Sequence, residues 1–94
     1  MIIVSQDKDK IINFDNLTQV YITQDEEEKA YFIRFETVDS LYDDLGEYKT
    51  EERAKEVLQE IWNFYETAKR YECSSNNGIT IFLEKKFTYE MPKE

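Results

Sequence analysis

The chain has 94 residues, 35% of them charged, with 21 acids against 12 bases and a formal charge of −9. That length supports a single domain over residues 1–94, near the small end of what folds alone. The acidity disfavours direct binding to nucleic acid or to an anionic membrane surface, and favours partners with basic surfaces.

Seven Tyr, six Phe and Trp62 supply large rings, each able to bury about 150–250 Å². A small core is therefore expected, and disorder is not. The lone Cys73 cannot form an internal disulfide, which suits a reducing compartment. No run approaches the ~18 apolar residues of a membrane-spanning helix, and Met1-Ile2-Ile3-Val4 lacks the basic leader of a signal peptide. A soluble, cytoplasmic protein is expected.

In chain order, residues 2–5 and 11–14 are short apolar runs around Gln6-Asp7-Lys8-Asp9-Lys10 and predict a first hairpin. Leu17 to Thr23 is rich in β-branched and aromatic residues and predicts a strand. After the charged turn from Gln24 to Lys29, Ala30 to Thr37 alternates Tyr31, Ile33 and Phe35 against Phe32, Arg34 and Glu36, as a strand does. Asp39-Ser40 turns the chain into a further strand, Leu41 to Tyr48, where Gly46 marks a bulge or a close backbone approach.

A helix is expected from about Glu51 to Tyr71, with Thr50 as N-cap and Glu51 and Glu52 at the positive end of its dipole. Ala54, Val57, Leu58, Ile61, Tyr65 and Ala68 form its apolar stripe. Trp62 flanks that stripe on one side, and Phe64 and Tyr71 on the other. After the breaker-rich run from Cys73 to Gly78, Ile79 to Leu83 predicts a last strand, with Phe87 to Pro92 extending it as an edge. The expected fold is α+β: a curved, mainly antiparallel sheet of about five strands with one long amphipathic helix packed on a face.

Catalytic chemistry finds few groups to work with. There is no His, which removes Ser-His-Asp and Cys-His arrangements and zinc-histidine sites. Gly46 and Gly78 are the only glycines, so no phosphate-cradling loop exists. Cys73 follows Glu72, and a neighbouring negative charge raises a thiol's pKa and lowers its reactivity. Asp7-Lys8-Asp9 lacks the glycine and bidentate acid of a calcium loop and is read as a solvated turn. Neither a cofactor nor a metal is expected, and the chain is read as a non-enzyme. A carboxylate pair such as Asp43 and Glu47 is the one acid–base arrangement left open.

The charge is concentrated. Residues 25 to 52 hold eleven acids against Lys29, Arg34 and Lys49, a segment charge of −8. Asp25, Glu26, Glu27, Glu28, Glu36, Asp39, Asp43, Asp44 and Glu47 are the candidate partner-binding residues. Like charges on neighbouring strands destabilise a sheet, so the arrangement calls for a reason beyond folding. Carboxylates spaced along a sheet can stand in for phosphates on a basic, nucleic-acid-binding surface. Trp62, Phe64 and Tyr71 are a candidate oligomer interface, since aromatic residues are enriched at such contacts and a small domain can homodimerise through an apolar flank.

Three stretches carry a resemblance: Ser5-Gln6-Asp7-Lys8, Leu45-Gly46-Glu47-Tyr48 running into Thr50-Glu51-Glu52-Arg53-Ala54, and the closing Phe87 to Pro92. In these the chain resembles short uncharacterised prophage and mobile-element proteins of low-GC Gram-positive bacteria. The resemblance implies a phage-type accessory protein and transfers no catalytic residue. Two functional expectations follow. One is an acidic inhibitor that docks on a basic surface of a host defence protein, in the host cytoplasm. The other is an oligomeric sponge for a nucleotide-type immune signal, in which tyrosines stack bases and Arg34, Arg53 and Arg70 meet phosphates.

Overall fold

The computed structural model describes residues 1–74 and 88–94, with side chains described up to Arg70 and again from Thr88. The first hairpin pairs β1 (Ile2–Val4) antiparallel with β2 (Ile11–Asn13). A 3-10 turn at Phe14–Asn16 follows, and then β3 (Leu17–Asp25), β4 (Ala30–Thr37) and β5 (Tyr42–Tyr48) form an antiparallel meander. The helix α1 runs from Glu51 to Ser74, and β6 (Thr88–Glu90) pairs parallel with β1.

The architecture is α+β, as expected, but the sheet is divided. The strands make two three-stranded sheets, ordered β2-β1-β6 and β3-β4-β5, where one curved sheet of about five strands is predicted. Between β1 and β5 the backbone makes a corner bond, from Gln6 N–H to the Leu45 carbonyl at 2.8 Å. The closing segment lies alongside β1 instead of prolonging an antiparallel edge, with Met91 N–H donating to the Val4 carbonyl at 3.0 Å. The strand predicted at Ile79 to Leu83 lies outside the described residues.

The helix begins as predicted. Thr50 Oγ1 accepts from Arg53 N–H at 3.1 Å, meeting one of the donors a helix N-terminus leaves open. Ala54, Val57, Ile61 and Ala68 are buried, with Leu58 and Tyr65 half-buried beside them. This stripe packs on β3, β4 and β5, over a core that includes Ile33, Leu45 and Tyr48, with Ile3, Tyr89 and Met91 closing it from the second sheet.

Candidate functional site

The acids are best placed by strand register. Asp25 stands opposite Ala30 on β3–β4, and Phe32 stands opposite Glu47 on β4–β5. The turn from Glu26 to Lys29 and the Glu47 end of β5 therefore share one end of the β3-β4-β5 sheet. Side chains directly opposite on antiparallel strands share a face. Thr23, Phe32 and Glu47 thus form one row, and Tyr21, Arg34 and Asp44 form the next. The register slips between Ile33 and Arg34, whose partners are Gly46 and Asp44. Leu45 is the extra residue, a bulge that turns its side chain into the core.

Gly46 sits beside that bulge and is also a point of close approach. A Cβ there would lie 3.1 Å from the Tyr48 hydroxyl and 3.3 Å from Gln6 Cβ. The bulge expected at this glycine falls one residue earlier, at Leu45, and the close approach is made by side chains. Gln6 ties the corner together: its Oε1 accepts from Glu47 N–H at 2.8 Å, and its Nε2 donates to the carbonyls of Glu47 and Lys93, each at 2.9 Å. This clamp sets the turn of the first hairpin against the end of β5. Asp7 and Asp9 thereby join a surface that the sequence reading confines to residues after 24.

Two shallow hollows cover this end. Thr23 to Glu27, Arg34 and Asp44 line one, Gln6, Asp7, Asp9, Lys10, Asp43 and Glu47 line much of the other, and both include Phe32 and Asp44. The sheet thus gathers Asp25, Glu26, Glu27, Asp43, Asp44 and Glu47 of the predicted set, with Glu28 in the same turn. Glu36 and Asp39 are not gathered. They lie toward the opposite end of the sheet from the Glu26 turn, since the seven steps of β4 span roughly 24 Å at ~3.4 Å per residue; Asp43, opposite Phe35, is the gathered acid nearest to them.

The gathered acids are not equivalent. Arg34 Nε is 2.9 Å from Asp44 Oδ1, and that hydrogen bond holds the guanidinium pKa above its ordinary value. Lys10 bridges Asp9 at 3.2 Å and Asp43 at 3.7 Å, and its pKa is raised, chiefly by the Asp9 hydrogen bond. Asp9 is correspondingly lowered, first by the Ser5 hydroxyl, which donates to it at 2.8 Å, and then by Lys10. Asp25 shapes its own turn, accepting from Glu27 N–H at 3.0 Å and Glu28 N–H at 3.3 Å. The carboxylates of Glu26, Glu27, Glu28 and Glu47 have no ion pair among the described residues and face water.

The remaining predicted site residues are placed as follows. Glu36 is hydrogen-bonded to Gln19 across β3–β4. Trp62 is exposed, with its ring 6.3 Å from Tyr65. Phe64 packs edge-on against Tyr89 at 5.6 Å and belongs to the margin of the core. The side chain of Tyr71 lies outside those described. The arginines assigned to phosphate binding lie against carboxylates instead: Arg34 on Asp44, Arg53 on Glu56 at 3.0 Å, and Arg70 on Glu66 at 3.3 Å.

Among the described residues, no group of three or more acids or thiols is placed to hold a metal ion. No helix among them is long and apolar enough to cross a membrane. Comparison with protein families, with curated proteins and with solved structures finds no match.

What the surface offers chemically is a set of water-facing carboxylates around the half-buried ring of Phe32. The contributions of Gln6, Asp7 and Asp9 escape the sequence reading because they come from a turn about forty residues away. Gln6 carries the only available signal, as an uncharged residue in an otherwise charged turn, inside a motif already singled out.

Proposed function

We propose that this chain is a non-enzymatic docking protein whose acidic sheet end binds a basic, nucleic-acid-binding surface on another protein. The gathering of acids from three separate turns and strands at one end of the β3-β4-β5 sheet carries this reading. Arg34 and Lys10 neutralise only part of the charge there, and the carboxylates of Glu26, Glu27, Glu28 and Glu47 stay available. An apolar ring at the centre adds desolvated contact area, and Phe32 suits the stem or the cationic head of an incoming Arg or Lys. With the sequence resemblance, the biological role is that of a phage-type accessory inhibitor of a host defence protein, acting in the host cytoplasm.

The test is capture from host lysate on immobilised chain, with native mass spectrometry of what is retained. Recovery of a nucleic-acid-binding protein is expected, released by added duplex DNA and by salt, since the screening length shrinks to ~3 Å at 1 M. The variant Glu26→Lys/Glu27→Lys/Glu47→Lys should lose that protein. Undiminished recovery with the triple variant, or insensitivity to both salt and DNA, would sink the reading.

A further inference from the structure

We infer that Phe32 and Glu47 hold one arginine side chain of the basic partner, its guanidinium stacked on the ring and forked onto the carboxylate. The acidic end then distinguishes arginine from lysine. This rests on the docking reading above and names the side chain that the site recognises. The chain carries its own template for such a contact one row away. There Arg34 places its guanidinium carbon 5.0 Å from the centroid of the Tyr42 ring, within the ~6 Å of a cation–π contact. Its Nε donates to Asp44 Oδ1 at 2.9 Å. A ring and a carboxylate of β5 thus share one guanidinium from β4. The adjacent row repeats the ring and the carboxylate, with Phe32 on β4 directly opposite Glu47 on β5. Residues so paired have Cβ atoms about 4.5–5.5 Å apart, close enough for one planar group to touch both. Glu47 is exposed and has no ion pair among the described residues.

Size and charge select the occupant. The hollow that Phe32 and Glu47 line together with Asp7 holds about 220 Å³. That is below the roughly 300–1,000 Å³ of small-molecule sites and matches a single side chain. Lys10 engages Asp9 and Asp43, and Arg34 engages Asp44, so Asp7 and Glu47 remain at the rim to meet a cation. Gln6 fixes that rim in advance. Its Oε1 accepts from Glu47 N–H at 2.8 Å, its Nε2 donates to the Glu47 carbonyl at 2.9 Å, and Asp7 is its neighbour in the chain. Preorganisation of this kind lowers the ordering cost of binding. Arginine meets the site better than lysine does. A guanidinium is planar and weakly hydrated, so it can lie on a ring while its N–H fork reaches a carboxylate. An ammonium is a compact, strongly hydrated point charge that gains less from either group.

The test is titration of the full chain, by fluorescence anisotropy, against two labelled peptides of equal length and charge. One alternates Arg with Gly and the other Lys with Gly. The Arg peptide should bind about tenfold more tightly, and added salt should weaken both. Phe32→Leu should bring the Arg peptide close to the Lys peptide, whereas Phe32→Tyr keeps a ring and should keep the preference. Glu28→Gln, in the glutamate turn, should weaken both peptides alike. Proton NMR of the unmodified chain provides a check that depends on no variant: the Phe32 ring should show Overhauser contacts to the arginine δ-methylene of the bound peptide. Equal affinity for the two peptides, a preference that survives Phe32→Leu, or arginine contacts at Tyr42 and not at Phe32 would each overturn the inference and leave the docking reading standing. Binding of neither peptide at low salt would overturn both.

Discussion

The β3-β4-β5 sheet ends in two turns that share a backbone solution and differ in everything else. The turn from Glu26 to Lys29 closes with Lys29 at φ 53°, and the turn from Val38 to Ser40 closes with Ser40 at φ 64°. Each therefore holds a residue other than glycine in the left-handed region, where hairpin loops of this length commonly place one. The first turn presents three consecutive glutamates. The second presents Val38 at 77% and Leu41 at 67% exposure, with Tyr42 at 63% just inside it. Folding asks only for the left-handed residue, so neither the charge at one end nor the apolar surface at the other follows from making the turn. The ends also differ in attachment. Behind the acidic end stand the Leu45 bulge, the Gln6 clamp and the Tyr48 hydroxyl on the Pro92 carbonyl at 2.8 Å. The apolar turn is held by its own backbone, with Thr37 N–H on the Leu41 carbonyl at 2.8 Å and Ser40 N–H on the Thr37 carbonyl at 3.0 Å.

If the acidic end is built on the core, a core substitution beneath it should be the most damaging single change. Leu45 is 1% exposed and makes the bulge that positions Asp44 and Glu47. Leu45→Ala is expected to cost about 2–5 kcal/mol, read from urea unfolding. Capture of a basic partner should fall with it, even though no carboxylate is removed. A cost below about 1 kcal/mol would mean that the acidic end is attached as loosely as the other.

Gly46→Ala comes next. The added methyl would meet the Tyr48 hydroxyl at 3.1 Å and its ring carbon at 3.2 Å. The ring cannot withdraw without releasing Pro92, so overpacking of about 1–3 kcal/mol is expected. Loss of the tail contact should appear as faster exchange at the Met91 amide, which bonds to Val4.

Tyr48 and Tyr89 make the same attachment sensitive to base. Burial pushes the Tyr48 hydroxyl up to about 12. Tyr89 is also raised, first by burial and then by its 2.6 Å hydrogen bond to Glu60. A folded-state pKa above the unfolded value of ~10 means that the stabilisation is complete below pH 10. It is then lost as pH climbs through the folded value. Urea midpoints should therefore hold steady from pH 8 to 9.5 and decline between pH 10 and 12. Tyr48→Phe should flatten part of that decline. An equal decline in Tyr48→Phe/Tyr89→Phe would assign the base sensitivity to other groups.

Much of this arrangement could be read from the chain, and the gaps have definite causes. The span Ala30–Thr37 and the Thr50 cap are recovered because alternation and capping are local signals. The division into two sheets is not, because the second sheet is closed by a three-residue parallel pairing with no periodicity of its own and meets the first through one backbone bond at Gln6. The acidic segment is visible as charge but not as a surface. Glu36 and Asp39 belong to the same acidic stretch as Glu47 yet lie toward the other end of β4, whereas Asp7 and Asp9 are remote from Glu47 in sequence and line the same hollow. Phe64 illustrates the same limit: its helical position marks a flank, but only the fold brings Tyr89 against it.

The smallest expected effect is also the one that separates the two ends most cleanly. Val38→Ser/Leu41→Ser removes apolar surface that contacts water and leaves the backbone bonds of the turn in place. Exposed substitutions away from caps and networks usually change stability by no more than about 0.5 kcal/mol, and that is the expectation here. Retention on a phenyl resin should nevertheless drop, because the variant removes two of the most exposed large apolar side chains of the described residues. Salt-sensitive capture of a basic partner should survive, since the glutamate turn is a strand length away and Asp43, the gathered acid nearest to Leu41, keeps its contact with Lys10. Were that capture to weaken as much as in the glutamate-to-lysine triple variant, the partner would have to span both turns. The sheet would then present one long contact surface, and the contrast between its ends would describe two halves of a single interface.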